Sequence, residues 1–246
     1  MADLRTRDIA YRHGDTEMLG MLVAPEGAVN LATVVLVHDA FGLSDDMVEI
    51  AETIAARGYA VFAADVWGNR QLPASEPEIG PLIGGMVAQR DEWIARVAAA
   101  HTTAAAQPEA DGSALISLGY CFGGASALEY LRIGGSVLGV VSIHGGLDLL
   151  EFDWTRATPG STVLVCTGAS DPMATAEQRE QLLSGMDAAG INWELDLYSN
   201  TVHAFTSKKA QDSPAPHVIA YHPRNAARAM DATLRFIDEV FAARVV

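Results

Sequence analysis

The fold class can be predicted from the segment Ala114-Leu-Ile-Ser-Leu-Gly-Tyr-Cys-Phe-Gly-Gly-Ala-Ser-Ala-Leu128. A short apolar run, typical of a buried strand, leads into Gly119-Tyr-Cys-Phe-Gly-Gly124, and the small residues that follow favour a helix. Strand, sharp turn and helix are the context of a nucleophile elbow, G-x-S-x-G, here with cysteine in the serine position. Glycines flank the nucleophile because the turn is strained and leaves no room for side chains. The stretch therefore predicts that Cys121 is a nucleophile, favoured as thiolate by the helix N-terminus.

On both sides of this turn, short β-branched runs alternate with longer segments of helical period. The runs predict about eight strands, near Arg7–Tyr11, Glu17–Val23, Thr33–His38, Tyr59–Ala63, Ala114–Leu118, Leu138–Ile143, Thr162–Cys166 and Trp193–Tyr198. The longer segments predict helices around residues 47–54 and at Ile83–Ala106, Phe122–Leu131, Thr175–Ala189 and Asn225–Val240. This alternation predicts the α/β class, a mostly parallel sheet with helices on both faces. Because no linker divides the chain, we expect one domain over residues 1–246, with long loops at Trp67–Gly80 and Thr206–Pro223.

Composition excludes several classes of function. The 246 residues include 31 acidic and 16 basic ones, a formal charge of -15, which argues against nucleic-acid or anionic-membrane partners. The two cysteines, Cys121 and Cys166, suggest neither a disulfide framework nor a metal cluster. Met1–Arg7 lacks the apolar core of a secretory signal, and no long apolar run follows. We therefore expect a cytoplasmic protein without a metal site, and the oligomeric state stays open.

Two residues further along the chain complete a catalytic pattern with Cys121. Asp171 and His203 each follow a predicted strand, in the order nucleophile, acid, histidine that α/β-hydrolases use. The histidine would take or hold the thiol proton, and the aspartate would fix its tautomer. The alternatives are that Asp171 only forms a turn and that His203 is a surface histidine. Cys166, inside a Val-rich strand, is expected to be core.

These residues resemble the dienelactone hydrolase (carboxymethylenebutenolidase) family, from about Asp8 to Val240. The matching segments are Gly119–Gly124, Asp171, His203-Ala-Phe205, His38-Asp-Ala-Phe-Gly42 and Ala64-Asp-Val-Trp-Gly68. The resemblance implies the α/β-hydrolase fold and cleavage of small-molecule carboxylic esters or lactones through an acyl-enzyme intermediate. It implies no metal and no organic cofactor.

The family pattern also suggests roles for residues around the triad. The backbone N–H of Phe122, directly after the nucleophile, is expected to bind the oxyanion, and that of Ala40 resembles the second donor. Asp39 occupies the position of a family glutamate that contacts the resting thiol, or alternatively only closes a turn. The candidates for the substrate pocket are His38, Phe41, Trp67, His144, Phe205 and Lys208.

One departure from the family concerns the substrate. Dienelactone hydrolases carry an arginine for the substrate carboxylate four residues after the catalytic histidine, and this position is Ser207, followed by Lys208. A lysine supplies a point charge but no bidentate fork. We therefore expect a preference for neutral or differently charged esters over dienelactone itself. A thioesterase or acyltransferase, and a ligand-binding protein that retains a hydrolase fold without catalysis, remain the alternative functions.

Overall fold

The computed structural model describes residues 3–243, except for the side chain of Glu76. The strands in this range are β1 (Leu4–His13), β2 (Thr16–Pro25), β3 (Leu31–Val37), β4 (Ala60–Ala64), β5 (Ala110–Tyr120), β6 (Gly139–Ile143), β7 (Thr162–Gly168) and β8 (Asn192–Tyr198). The α-helices are α1 (Asp45–Ala55), α2 (Glu76–Ala88), α3 (Arg90–Ala105), α4 (Phe122–Arg132), α5 (Ala176–Ala188) and α6 (Pro223–Ala242). Short 3₁₀ helices lie at Leu147–Leu149 and Lys208–Asp212.

The strands form one sheet in the order β1-β2-β4-β3-β5-β6-β7-β8. All eight strands lie where the sequence predicts them, with ends that differ by a few residues. The eight-stranded, mostly parallel sheet with helices confirms the predicted class. The chain divides between Leu118 and Gly119 into two compact units. That residues 1–246 act as one domain stays a prediction.

In the first unit, β1 and β2 form an antiparallel hairpin whose turn contains Gly14 at φ +53°. Strand β2 pairs antiparallel with β4, and β3 pairs parallel with β4. Residues Val34–Val37 of β3 have no exposed surface, as expected for a parallel strand covered on both faces. Helix α1 packs on β4, and α3 packs on β1 and β3.

The predicted helix Ile83–Ala106 is wrong in one respect, because two helices occupy this region. Gln89, at φ -117° and ψ 56°, separates α2 from α3. The helical period of the sequence continues across Gln89, so the break between the two helices could not be predicted from it. Helix α2 also begins earlier than predicted, so the expected loop Trp67–Gly80 ends at Ser75.

In the second unit, β6, β7 and β8 are consecutive parallel strands. Helix α4 packs on β6, α5 packs on β8, and α6 packs on β6 and β7. Parallel strands bring their carboxyl ends to one edge of a sheet, which is where open α/β sheets place their sites. The segments that follow β6, β7 and β8 therefore lie close together. No helix within residues 3–243 is both long and apolar enough to cross a membrane.

Candidate active site

The turn between β5 and α4 holds Cys121 in a strained backbone conformation, with φ +53° and ψ -116°. A side-chain carbon at Gly119 would overlap the backbone of Gly123, and one at Gly124 would lie 2.8 Å from the Ser142 hydroxyl. The backbone N–H of Cys121 donates to the carbonyl of Ile143 (3.0 Å). Strain of this kind persists only where the surroundings fix it. The close packing explains the glycines, and the half-buried thiol remains partly accessible.

The turn after β7 positions Asp171, whose side chain is almost fully buried. One carboxylate oxygen, Oδ1, accepts the backbone N–H of Met173 (2.8 Å). The backbone N–H of Asp171 donates to Gly168 (3.2 Å). A side-chain carbon at Gly168 would overlap the carbonyl of Thr201, so this turn lies directly against the segment that leads to His203. The second oxygen, Oδ2, is left for His203.

The segment after β8 fixes His203 from both sides of its peptide. Its N–H donates to the carbonyl of Val218 (3.0 Å), and its carbonyl accepts the N–H of Ala220 (3.2 Å). Upstream, the amide of Asn225 at the start of α6 donates to the hydroxyl of Thr201 (2.7 Å). The histidine is thus held by backbone hydrogen bonds, although it lies outside the regular strands.

Three side chains of the second unit lie in consecutive contact, with His203 between Asp171 and Cys121. The His203 Nδ1 atom lies 2.9 Å from Asp171 Oδ2, and its Nε2 atom lies 3.1 Å from Cys121 Sγ. These are hydrogen-bonding distances. His203 and Asp171 are both almost fully buried, so their hydrogen bond lies in a water-poor environment. The geometry permits proton exchange between the thiol and the imidazole.

The electrostatics of His203 favour the imidazolium. Burial alone opposes the charge, but the interaction with Cys121 and the hydrogen bond that His203 donates to Asp171 outweigh it and raise the pKa of His203 to about 10. An opposite charge in hydrogen-bond contact stabilises the ionised form of a buried group. The contacts therefore favour the imidazolium form of His203 at neutral pH.

The predicted site residues of the first unit lie among local contacts. The Asp39 carboxylate accepts the backbone N–H of Phe41 (2.8 Å), as it would in a turn, and a contact with the resting thiol stays a prediction. The ring of His38 is fully buried and lies 5.2 Å from the ring of Trp67. Phe41 is half-buried. Whether these residues, or the N–H of Ala40, contact a substrate stays a prediction.

The remaining predicted positions lie in the second unit. His144 and Phe205 are buried, Lys208 is exposed at the start of a 3₁₀ helix, and Phe122 is the first residue of α4. Their roles in binding stay predictions. Cys166 is fully buried in β7, and burial raises the pKa of its thiol to about 12.

Sequence reasoning missed Asp148, which follows β6 in a 3₁₀ helix. Its N–H donates to the carbonyl of Met173 (3.2 Å), and its carboxylate interacts electrostatically with His203 and Asp171. Partial burial raises the pKa of Asp148. Its position after a strand end could have identified it.

Arg70 binds the carbonyls of Leu19 and Gly20, so its guanidinium is already engaged in the first unit.

Comparison with known proteins supports the family and the fold of this chain. The model of the dienelactone hydrolase family matches residues 18–241. A protein of Synechocystis sp. named "Putative carboxymethylenebutenolidase" is 24% identical over 225 residues, which cover 82% of this chain and 87% of that protein. The family suggested by the sequence motifs is thereby confirmed.

Two solved structures resemble the chain over nearly their whole length. A dienelactone hydrolase-like promiscuous phosphotriesterase, P91, from metagenomic libraries has a TM-score of 0.90 and 33% identity, covering 96% of this chain and 98% of its own. The dienelactone hydrolase of Anabaena variabilis has a TM-score of 0.63 and 17% identity, covering 98% of each chain, which shows the fold alone. The α/β-hydrolase fold is therefore confirmed.

Proposed function

Because the chain belongs to the dienelactone hydrolase family, we propose that it cleaves small carboxylic esters or lactones through Cys121, His203 and Asp171. The family and the structural neighbours make the chain an ester or lactone hydrolase, and the proposal concerns the residues and the steps. The observation that carries it is the 3.1 Å contact between His203 Nε2 and Cys121 Sγ. A nucleophile in contact with a base that a third group orients is the arrangement needed for covalent catalysis.

In the proposed acylation step, the Cys121 thiolate attacks the carbonyl carbon and forms an S–C bond. The oxyanion accepts hydrogen bonds from the backbone N–H groups of Phe122 and Ala40. When the C–O bond breaks, the His203 imidazolium gives its proton to the leaving oxygen. The products of this step are a thioester on Cys121 and an alcohol, which in a lactone stays attached to the acyl group.

Deacylation returns the enzyme to its starting state. The neutral His203 now takes a proton from water, and the hydroxide attacks the thioester carbonyl. The S–C bond breaks, the acid leaves, and the thiolate–imidazolium pair is restored. In both steps Asp171 accepts the hydrogen bond from His203 Nδ1, which fixes the tautomer of His203 and stabilises the imidazolium.

The proposed substrates are uncharged small esters or lactones. Ser207 offers no cation at the position that the family resemblance gives to arginine, and the formal charge of -15 weakly repels anions.

Both cysteines are free thiols, which supports a reducing compartment such as the cytoplasm as the location.

The test combines labelling with activity. Iodoacetamide at neutral pH should alkylate Cys121 selectively, as peptide mapping by mass spectrometry would show, while native Cys166 stays unlabelled because it is buried. Hydrolysis of a neutral aryl ester should disappear in Cys121→Ala and stay within a few-fold of the parent in Cys166→Ala. Equal losses in two folded variants, or an unreactive Cys121, would contradict the proposal.

A second candidate activity is cleavage of phosphotriesters. It is favoured by the 33% identity over 96% of the chain with the protein named as a promiscuous phosphotriesterase. The thiolate would attack phosphorus and expel an aryl oxide, and water would then cleave the S–P bond. Release of the phenol from an aryl dialkyl phosphate by the parent, and not by Cys121→Ala, would support this activity. Retention of the activity in that variant would contradict a shared nucleophile.

A further inference from the structure

His144 is a buried residue of the second unit that the proposed reaction leaves unused. It directly follows β6, and its side chain is 2% exposed. Its backbone lies at φ +38°, in a region that favours glycine. Its N–H donates to the carbonyl of Cys166 (2.8 Å) in the neighbouring strand. A strained, buried histidine points to a specific task, because such strain persists only where its surroundings hold it.

The ring of His144 packs against the His203 ring, edge to face. The two ring centroids are 5.3 Å apart, with an interplanar angle of 68°. The same ring lies 5.3 Å from that of Phe205 and 5.9 Å from that of Tyr120. These separations are typical of attractive aromatic pairs. The contact with His144 therefore limits rotation of the His203 imidazole.

A hydrogen bond extends this contact to the chain beyond His203. The Nε2 atom of His144 lies 2.8 Å from the Thr206 hydroxyl. Between His203 and Thr206 the backbone turns through Ala204, which has φ +53°. A single side chain thus contacts the catalytic ring and ties down the residue three positions later.

The charge state of His144 suits this task. Burial and the neighbouring charge of His203 hold the pKa of His144 well below its usual range. Its Nδ1 atom has no hydrogen-bond partner among the described residues. The titratable groups that face His203 are Cys121 and Asp171 by hydrogen bonds, His144 by its ring, and Asp148 electrostatically. A neutral ring lies against the imidazolium without repelling it.

We propose that His144 is a positioning residue, which with Thr206 holds the imidazole of His203 on the sulfur of Cys121. This inference rests on the proposed function, because it treats His203 as the base. His144 exchanges no proton in the reaction and touches no reacting atom. Its effect is on the fraction of time that His203 Nε2 spends in contact with the thiol.

The test uses Thr206→Val, which removes the hydroxyl and keeps the shape, and His144→Phe, which keeps a ring and removes the hydrogen bond. We expect each to lower kcat about tenfold with KM within about twofold. The double variant should lose little more, because both changes break one contact. Thr206→Ser should restore activity. Thr233→Val is the matched control, since the Thr233 hydroxyl donates to the carbonyl of Ala229 within α6.

The rate of Cys121 alkylation by iodoacetamide from pH 5 to 9 gives a second readout that needs no substrate. Loss of positioning should move the midpoint of the alkylation rate to higher pH, because an imidazolium farther from the sulfur stabilises the thiolate less well. If Thr206→Val and folded His144→Phe keep the parental kcat and alkylation profile, the positioning role is wrong. If the midpoint moves although no ester is cleaved, positioning stands and the proposed substrate class fails.

Discussion

Two histidines that follow strands, one in each compact unit, are equally buried and differ in their partners. His38 donates through Nδ1 to the carbonyl of Asp39 (2.7 Å) and accepts the N–H of Val66 at Nε2 (3.0 Å). These neutral backbone groups satisfy a neutral ring, and burial lowers its pKa. His203 instead contacts a carboxylate and a sulfur, and its pKa rises to about 10.

The difference shows that burial alone does not make a base. In both places water is excluded, which strengthens whatever electrostatic interaction the partners supply. Backbone dipoles make His38 a structural link between β3 and the segment after β4. A carboxylate and a sulfur as partners give His203 the role of proton carrier in the proposed mechanism. The following predictions test this distinction.

The largest effect should come from replacing the two histidines in turn. His203→Ala should lower kcat/KM for a neutral aryl ester by about a thousandfold, since general acid–base catalysis contributes roughly 10²–10⁴-fold. His38→Asn should lower thermal stability but keep activity within about tenfold when folded. Steady-state kinetics with circular dichroism measures both. Near-parental activity in His203→Ala would require a different base.

A second difference between the two units is whether a cationic side chain is present at the compared position. Arg70 is engaged with Asp8 and two carbonyls, whereas the position four residues after His203 is Ser207. A charge-assisted contact on a carboxylate contributes roughly 1.5–3 kcal/mol, or about ten- to a hundredfold. Ser207→Arg should therefore raise kcat/KM for dienelactone by about that factor relative to a neutral lactone. A strong parental preference for dienelactone would show that another residue already binds the carboxylate.

Buried histidines that stay neutral should lower the stability of the fold in acid. Burial lowers the pKa of His101 to about 4, against about 6.5 in an unfolded chain. The unfolded state thus binds more protons, and stability falls as pH drops from 6.5 towards 4. His101→Gln should reduce the loss of unfolding free energy between pH 7 and pH 5 by roughly 2 kcal/mol. Urea titrations at both pH values measure this.

The matched control for that experiment is His217→Gln, because His217 is exposed. Its loss of stability between the two pH values should equal that of the parent. If His101→Gln gives the parental loss as well, the acid sensitivity originates elsewhere, for instance at His38.

The pH dependence of the stability that charged His203 contributes should have the opposite sign. The pKa of His203 is raised to about 10, so its stabilising charge is fully present below pH 6.5 and is lost as pH rises through 10. We expect kcat/KM for an alkyl ester to fall about tenfold by pH 11, because the leaving oxygen loses its proton donor. A pH-stat assay measures this. A decline that begins near pH 7 would mean that the ion pair is weaker than the geometry suggests.

The sequence specified the strands and the order of the site residues, because both depend on local patterns. The turn at Gly119–Gly124 is readable since only glycine fits beside the nucleophile. The kink at Gln89 was not readable, because the helical period runs through it. The tie between His144 and Thr206 was missed because it joins residues 62 positions apart. Such contacts depend on how parallel strands are ordered in the sheet, which no local pattern encodes.

The hydrogen bonds on both sides of the His203 peptide, to Val218 and Ala220, have a consequence for engineering. They fix both ends of the excursion Ser207–His217, so this segment can be exchanged without moving the base. Lengthening it is also cheap, since doubling a flexible loop costs only about 0.6 kcal/mol of closure entropy. Because Lys208 in this segment is a predicted pocket residue, a library of segments grafted at Ser207–His217 would test whether the segment determines substrate choice while His203 stays in place.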